Sequence, residues 1–519
     1  MRNIVICCDG TGNEYCDANS NVVKLYRAME QSAQQVVYYH PGVGTMGAQH
    51  ALTAVGKTWT KWLGLGFGYG LSENIADAYG FLMQNYQPGD QVFVFGFSRG
   101  AYTARALCGL LEMCGLLRPG NEGQIPYAMR LFKRREGRFD AVRGVPSKFY
   151  IAKGFKSAFS VDCKPHFAGL WDTVSSVGWF LDLSGLKKGS MPYTAKLGQV
   201  DVVRHAVSLD ERRSFFRQNL VDGMQCPGDP PRDLTQVWFA GVHSDVGGSY
   251  AEAEAGLANI TLRWMLKEAQ AAGLKLIPGQ KWALLGGGVY HARARSTAML
   301  HKSLHGFWWG MAEFWPKAVK RLVSAPCVKP TVYKGFVRAN LFRRRVVPEG
   351  ATIHESVLKR KSALIEYTAP NLPASYMTAP DHETDSEEIR LSVGDTVEFG
   401  IFALLRWNDT ALKMLEGESY TLTADGKWYD ATIKSDANGY TSNLLKHRLT
   451  ARFRRDPKLN WFLLMGALSM DDRKAFALGA GPTTYTATED GKLYCFANDL
   501  WWFYFNNSGL VKLAVKRLS

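Results

Sequence analysis

The first half of the chain carries short apolar runs without a polar interruption: Ile4 to Cys8, Val36 to Tyr39, Val92 to Phe95, Phe167 to Trp171 and Val237 to Ala240. A strand with one face in water alternates apolar and polar positions. These runs do not, so they read as parallel strands of one sheet covered on both faces. Between them the period changes. Ile75, Tyr79, Leu82 and Tyr86 recur at helical spacing before the turn Gln87-Pro88-Gly89-Asp90, and Leu257, Ile260, Trp264 and Met265 do so after the last run. Strand and helix in alternation predict a doubly wound α/β domain with a mostly parallel sheet. Past Asn371-Leu372-Pro373 the texture shifts to short β-rich stretches separated by turn residues, among them Thr396 to Leu405, Tyr420 to Thr423, Thr483 to Thr488, Leu493 to Ala497 and Leu510 to Val515. That punctuation predicts an antiparallel sandwich. The expected organisation is one domain over residues 1–375 and a smaller one over 390–519, with no internal repeat or low-complexity tract.

Side chains just beyond the carboxyl ends of parallel strands face the crevice where open α/β sheets bind ligands. Asp9, Ser98, Asp172 and His243 each follow one of the runs. Ser98 lies in Gly96-Phe97-Ser98-Arg99-Gly100, between a strand-like run and the helical stretch from Ala101 to Leu107, which is the context a nucleophile elbow requires. A serine hydroxyl needs a base, and the base needs an anion to fix its tautomer; α/β-hydrolases supply them in the order serine, acid, histidine. Asp172 and His243 meet that order. His205 is a rival base and Asp245 a rival acid, and the bland alternatives are a helix-capping Asp172 and a His243 that bonds the glycine-rich backbone. An oxyanion needs two backbone N–H donors. The residue after the nucleophile, Arg99, is one candidate, and the turn Asp9-Gly10-Thr11-Gly12-Asn13 offers Gly10 and Thr11 as the other.

Composition narrows the class. The chain has 519 residues, 46% apolar and 21% charged, enough for packed interiors. Lys and Arg number 62 against 47 Asp and Glu, a formal +15 that favours encounter with anionic surfaces, of which phospholipid head groups are the better candidate. The basic residues form scattered clusters such as Arg343-Arg344-Arg345 and Lys359-Arg360-Lys361, without a nucleic-acid-binding signature, so nucleic acid is not an expected partner. Nine cysteines lack CxxC pairs and read as reduced, buried thiols from a reducing compartment. The start of the chain enters a strand at once without signal-peptide features, and no run reaches membrane-spanning length. Export, if it occurs, is expected through a signal-independent machine.

These motifs together resemble a known family. Cys8-Asp9-Gly10-Thr11-Gly12-Asn13, Pro41-Gly42-Val43-Gly44-Thr45, the run from Gly96 to Ala101, Trp171-Asp172-Thr173-Val174, Asp210-Glu211-Arg212-Arg213, the run from Gly241 to Gly248 and Ile353-His354-Glu355-Ser356-Val357 resemble the DUF2235 hydrolases, in order, from residue 1 to about 375. That family includes type VI secretion phospholipase effectors of the Tle-one class. The resemblance implies an α/β-hydrolase fold, phospholipase A-type cleavage by a serine esterase, a triad of Ser98, Asp172 and His243, and no cofactor for hydrolysis. It also implies a membrane surface, a secretion apparatus and an immunity protein as partners, with delivery to the periplasm of a target cell.

Between His243 and the second domain, Gly306-Phe307-Trp308-Trp309-Gly310-Met311-Ala312-Glu313-Phe314-Trp315-Pro316 is followed by Lys317, Lys320 and Arg321. It suits either an interfacial lid or a helix packed on the core. Near the end, Asp499, Asn506 and Asn507 bring carboxylate and amide oxygens into one loop, the hard-oxygen set that Ca²⁺ takes. Trp407-Asn408-Asp409-Thr410, Gly417-Glu418-Ser419-Tyr420, Gly426-Lys427-Trp428-Tyr429-Asp430 and Asn498-Asp499 to Gly509 are similar to the calcium-dependent galactophilic lectin of bacteria, a jelly-roll sandwich, over roughly 395–519. That resemblance adds the carbonyls of Phe503 and Ala431 as ligands and carbohydrate as a partner. Trp501, Trp502 and Phe503 depart from it and would crowd a sugar pocket. The competing functional classes are a non-catalytic carbohydrate-binding or adaptor protein on a hydrolase scaffold, and an esterase of non-lipid esters.

Overall fold

The computed structural model describes residues 2–10, 18–42, 67–134, 146–174, 193–213, 216–223, 233–277, 285, 292–304, 317–323, 331–338, 341–381, 389–442, 444, 447 and 450–519. The chain divides into two compact units. One comprises Met1–Ala251, Ala255–Lys281 and Ala294–Asp381; the other comprises Glu252–Glu254, Trp282–Arg293 and His382–Ser519.

The first unit is built on an eight-stranded sheet. Its strands are β1 (Asn3–Cys8), β2 (Gln35–His40), β3 (Gln91–Phe97), β4 (Pro165–Trp171), β5 (Val202–Ser208), β6 (Asp233–Phe239), β7 (Ala351–His354) and β8 (Tyr376–Ala379). They lie in the order β8-β7-β6-β5-β4-β3-β1-β2, and every neighbouring pair is parallel. The apolar runs explain the centre of the sheet: every residue of β1 is buried, as are Val92 to Phe97 of β3. One face packs Ile4, Ile6, Val92 and Val94 against Ile75, Tyr79 and Leu82 of α2 (Phe67–Asn85) and Leu107 and Leu110 of α3 (Arg99–Cys114). The short helix α1 (Asn21–Ala28) opens on Ser20, whose hydroxyl accepts from the Val23 N–H and donates to Asp9 at 2.6 Å. Two further helices matter to the site, α4 (His243–Gly247) and α5 (Gly256–Ala271).

The chain leaves β1 toward β2 on one side, then returns to β3 on the other. Reversal of direction between adjacent strands leaves a crevice at their carboxyl ends, and Asp9 and Ser98 stand at its two lips. Three strands were not among the expected runs. β5 is interrupted by Arg204 and the fully buried His205, and β7 and β8, the second of them at the sheet edge, are only four residues long.

The second unit holds two antiparallel sheets. Its strands are β9 (Thr396–Phe402), β10 (Asn408–Met414), β11 (Ser419–Asp430), β12 (Ile433–Ser435), β13 (Asn438–Tyr440), β14 (Trp461–Ala467), β15 (Phe476–Ala477), β16 (Thr483–Thr486), β17 (Gly491–Ala497) and β18 (Asn507–Arg517). One sheet runs β9-β18-β11-β12 with β16 on β11; the other runs β10-β17-β14-β13 with β15 on β14. Inward residues of both meet in one core that includes Ile401, Leu412, Leu422, Trp428, Leu464, Cys495 and Leu513, so the unit is a β-sandwich.

The aromatic segment from Gly306 to Pro316 lies outside the described residues, so Trp308 and Trp309 do too. The cations that follow it, Lys317, Lys320 and Arg321, belong to a strand, Lys317–Val323, paired antiparallel with Thr331–Arg338. Cys7, Cys8, Cys108, Cys114, Cys163 and Cys495 are buried and unbridged. No described helix is long and apolar enough to cross a membrane.

Candidate active site

Ser98 sits between β3 and α3 with φ 59° and ψ −119°, a backbone conformation that L-residues other than glycine seldom adopt. The turn is held from both sides. Its own N–H donates to the Trp171 carbonyl at 3.0 Å, and the flanking glycines allow contacts that no side chain would survive. A Cβ on Gly96 would stand 2.5 Å from the Gly100 carbonyl oxygen, and one on Gly100 would stand 2.2 Å from the Cys8 carbonyl oxygen. The glycines therefore let the start of α3 close against the end of β1.

The parallel register brings the ends of β3, β4 and β6 to one edge, and three side chains meet there. His243, the first residue of α4, has Nε2 2.8 Å from Ser98 Oγ and Nδ1 2.5 Å from Asp172 Oδ2. With the proton on Nδ1, that nitrogen donates to Asp172 and Nε2 accepts from the serine hydroxyl. Ser98 is 8% exposed, His243 4% and Asp172 0%. Burial lowers the His243 imidazolium below the ordinary histidine value; the bond and charge of Asp172 pull the other way, and Arg213 adds to the lowering. The ring is packed between Phe97 and Phe216, each 4.7 Å away between centroids, the second edge-on.

Asp172, itself at a φ of 39°, is engaged on both carboxylate oxygens. Its Oδ1 accepts from the Ser208 N–H at 2.9 Å and from Arg345 Nη1 at 2.5 Å, and its Oδ2 accepts from Arg345 Nη2 at 3.0 Å as well as from His243. Burial by itself would raise this carboxyl. The Arg345 charge and then the His243 hydrogen bond outweigh it and hold the group well below the usual carboxylate range. Arg345 is 2% exposed and also donates to the carbonyls of Ser208 at 2.9 Å and Phe216 at 3.2 Å. The basic clusters of the sequence are thus not all surface: Arg345 is inside the site, and Arg360, 6% exposed, gives its guanidinium to the carbonyls of Ser296 and Ala298.

The run from Asp210 to Arg213 builds the floor under His243. Glu211, buried, accepts from the His243 N–H at 3.1 Å and from Arg213 Nη2 at 2.9 Å. Burial opposes its charge, yet Arg213 brings the carboxyl down to about 2. Arg213 in turn lies 3.7 Å over the Phe216 ring. Asp210 accepts from the Gly241 N–H at 2.8 Å, which fixes the turn that delivers the histidine.

The rivals are placed elsewhere. His205 has Nε2 accepting from the Thr173 N–H at 3.3 Å and Nδ1 3.0 Å from Gln236 Oε1, and burial lowers it to about 4. Both ring nitrogens are used in holding the corner after Asp172. Asp245 Oδ1 is 2.6 Å from His301 Nδ1, and its Oδ2 accepts from the Val242 N–H. Among the oxyanion candidates, Arg99 is the first residue of α3. Gly10 differs from expectation: its N–H is donated to Asp9 Oδ1 at 2.6 Å, because the Asp9 carboxylate, bonded also by Ser20 and Tyr39, turns back on its own loop. Thr11 lies outside the described residues.

In the second unit, Asp499, Asn506 and Asn507 come together beside Asp430. Asn507 Nδ2 donates to Asp499 Oδ2 at 3.0 Å, Asn506 Nδ2 donates to Asp430 Oδ1 at 2.9 Å, and the Ala431 N–H donates to the Asn506 carbonyl at 3.2 Å. The amide oxygens of Asn506 and Asn507 are buried and have no hydrogen-bond partner among the described residues. Burial, with Asp430 nearby, raises the Asp499 carboxyl to about 6.

A parallel sheet with a serine elbow, a carboxylate and a histidine at the ends of β3, β4 and β6 defines an α/β-hydrolase fold. Residues 2–268 match the family described as T6SS, phospholipase effector Tle1-like, catalytic domain, and the chain belongs to that family. It is 29% identical over 408 residues to the uncharacterized protein YEL023C of Saccharomyces cerevisiae, covering 54% of this chain and 58% of that protein. Among solved structures it is similar to the Tle1 effector bound to the VgrG spike of the type 6 secretion system, at 19% identity and a TM-score of 0.26, over 50% of this chain and 52% of that one. It is also similar to the EclA N-terminal domain, a PllA-like lectin, at 17% identity and a TM-score of 0.19, over 23% of this chain and 94% of that one. The chain thus spans little more than half the length of the yeast relative and of the Tle1 effector.

Proposed function

We propose that this chain is a serine hydrolase of lipid esters, cleaving phospholipid acyl esters in the manner of a phospholipase A. The observation that carries the reading is the continuous relay from Ser98 Oγ through His243 to Asp172 at the switch point of the sheet. In this reading His243 Nε2 takes the hydroxyl proton as Ser98 Oγ bonds to the ester carbonyl carbon. Asp172 holds the Nδ1 tautomer and stabilises the imidazolium. The Arg99 N–H is one donor to the oxyanion, and, with the Gly10 N–H given to Asp9, Thr11 is the candidate for the second. His243 then gives its proton to the departing alcohol, leaving an acyl-serine that water cleaves with the same histidine as base. Arg345 and Glu211 are positioning residues: they fix Asp172 and the His243 main chain without touching substrate.

Two measurements test this. A fluorophosphonate probe should label the wild type and not Ser98→Ala. Mass spectrometry of a phospholipid extract should show lysophospholipid and fatty acid from the wild type alone. An unlabelled wild type, or products unchanged in Ser98→Ala, would defeat the assignment; cleavage confined to water-soluble esters would remove the lipid substrate.

For the second unit we propose a Ca²⁺ site formed by the side chains of Asp499, Asn506 and Asn507 with the carbonyls of Phe503 and Ala431. The two partnerless amide oxygens beside a buried carboxylate are the donor chemistry that a hard cation would complete. The ion would organise this loop and takes no part in the hydrolysis. For partners, the Tle1 effector of the solved complex is bound to a VgrG spike, and delivery by a secretion spike to act on a phospholipid membrane is the setting we propose for this chain.

A further inference from the structure

Three loops of the β-sandwich meet at one end: the segment after β9, the segment before β14 and the segment between β17 and β18. Arg454 forms an isolated antiparallel bridge with Leu500, and the Arg455 N–H donates to the Asp499 carbonyl at 3.2 Å. That bridge brings the single turn Ala451–Phe453 next to the turn that holds Trp501 and Trp502. These neighbouring turns expose large apolar rings: Trp502 is 61% exposed, Phe453 50% and Phe503 45%.

The rings are presented by a rigid base. The Arg455 guanidinium lies 4.0 Å from the Trp407 ring, 3.3 Å from Phe496 and 4.7 Å from Trp501, and is tied to Asp472 at 2.5 Å. Trp501 is thereby fixed while its neighbour points outward. Around the rings stand exposed cations, Arg452 at 4.7 Å over Phe453 and Arg406 at 5.6 Å over Trp501. Neither has a carboxylate partner among the described residues. Apolar rings ringed by arginines match the layering of an acyl boundary beneath anionic head groups. A neutral sugar would stack on one ring and gain nothing from the surrounding positive charge.

We infer that this end of the sandwich docks on an anionic phospholipid bilayer, with Trp502, Phe453 and Phe503 entering the interface and Arg406 and Arg452 meeting the head groups. The inference builds on the lipid-ester reading by naming the surface that holds the enzyme to its substrate, and it fails separately from it.

The test uses full-length Ser98→Ala protein, so that vesicles stay intact, in sedimentation with vesicles of phosphatidylglycerol and phosphatidylcholine in equal parts or of phosphatidylcholine alone. Binding to the anionic vesicles is expected to exceed binding to the neutral ones. The double variant Phe453→Ala/Trp502→Ala should lower the bound-to-unbound ratio on the order of tenfold or more. Arg406→Gln/Arg452→Gln should erase the preference for anionic lipid, and Trp502→Phe should retain binding. The same substitutions in the active chain should leave hydrolysis of a short soluble ester and the melting temperature unchanged. Equal binding by all variants, or no preference for anionic vesicles, overturns the inference. Retention on a galactoside matrix that requires Trp502, without vesicle binding, would reassign the tip to carbohydrate. Phospholipid hydrolysis with loop-independent vesicle binding would sink the docking surface and leave the enzyme; loop-dependent binding without any lipid cleavage would do the reverse.

Discussion

In the proposed mechanism His243 acts as the base and must be neutral to do so, and burial keeps its imidazolium less stable than that of a histidine in water. The acid limb of kcat/KM should therefore fall below the ordinary histidine value of about 6.5. A limb above it, measured with a soluble ester, would contradict the environment described. Arg345 should bear on the same profile. Replacing it with Met strips a positive charge from the far side of Asp172, so the imidazolium gains stability and the limb should move to higher pH while kcat drops. Breaking a buried pair costs about 3–5 kcal/mol, so the protein should also melt earlier, with Arg345→Lys recovering part of both effects. Reduced stability with an unmoved pH profile would reduce Arg345 to a structural role. Ser98, Asp172 and His243 could be read in the sequence because each follows an apolar run and their order fits a known chemistry. Arg345 could not: it stands in a triplet of arginines that looks like a solvated surface, and only its tertiary neighbours, Asp172 and the carbonyls of Ser208 and Phe216, show otherwise.

Among the elements, the elbow is the most demanding. Gly100→Ala would place a methyl group against the Cys8 carbonyl, main chain on which nothing can yield without moving β1 or α3. It should destabilise the protein by at least about 2–3 kcal/mol and lower activity by displacing Ser98, as read by thermal melting and ester hydrolysis. A variant with wild-type stability would mean that the two elements are not held as close as described. The loop from Asp499 to Asn507 makes a second case. If it binds Ca²⁺, a hundredfold excess over Kd should stabilise the unit by about 2.7 kcal/mol, visible as a higher melting temperature in Ca²⁺ than in chelator for the full chain. Asp499→Ala should erase the difference; equal melting in both conditions for the wild type would dismiss the site. Elements were legible where their residues are apolar without interruption, even where, as in the half-buried edge strand β2, they are not fully covered. β1 and β3 announce themselves as unbroken apolar runs, whereas β5 hides because His205 is buried by satisfying both ring nitrogens rather than by being apolar.

For the molecule as a whole, a formal charge of +15 overstates the field at the surface, since Arg105, Arg345 and Arg360 are buried in the first unit. Enough remains, Arg406 and Arg452 among it, that association with anionic vesicles should weaken as salt rises over about 0.01–0.15 M, where the screening length shortens from about 30 to 8 Å. Salt-independent association would show that charge is not the attraction.

The sequence by itself determined an α/β unit followed by a β-sandwich, and placed Ser98, Asp172 and His243 at strand ends. Burial on two faces, burial on one face and the nucleophile turn each leave a local pattern in residue type. The tertiary structure decided which histidine meets the serine and which carboxylate meets that histidine, that Gly10 gives its N–H to Asp9, and that Glu211 and Arg345 complete the polar interior. Those pairings join residues from about thirty to more than a hundred and seventy positions apart, or turn a side chain back on its own loop. Such contacts are set by the register of parallel strands and the close approach of backbones, which no local stretch of sequence encodes.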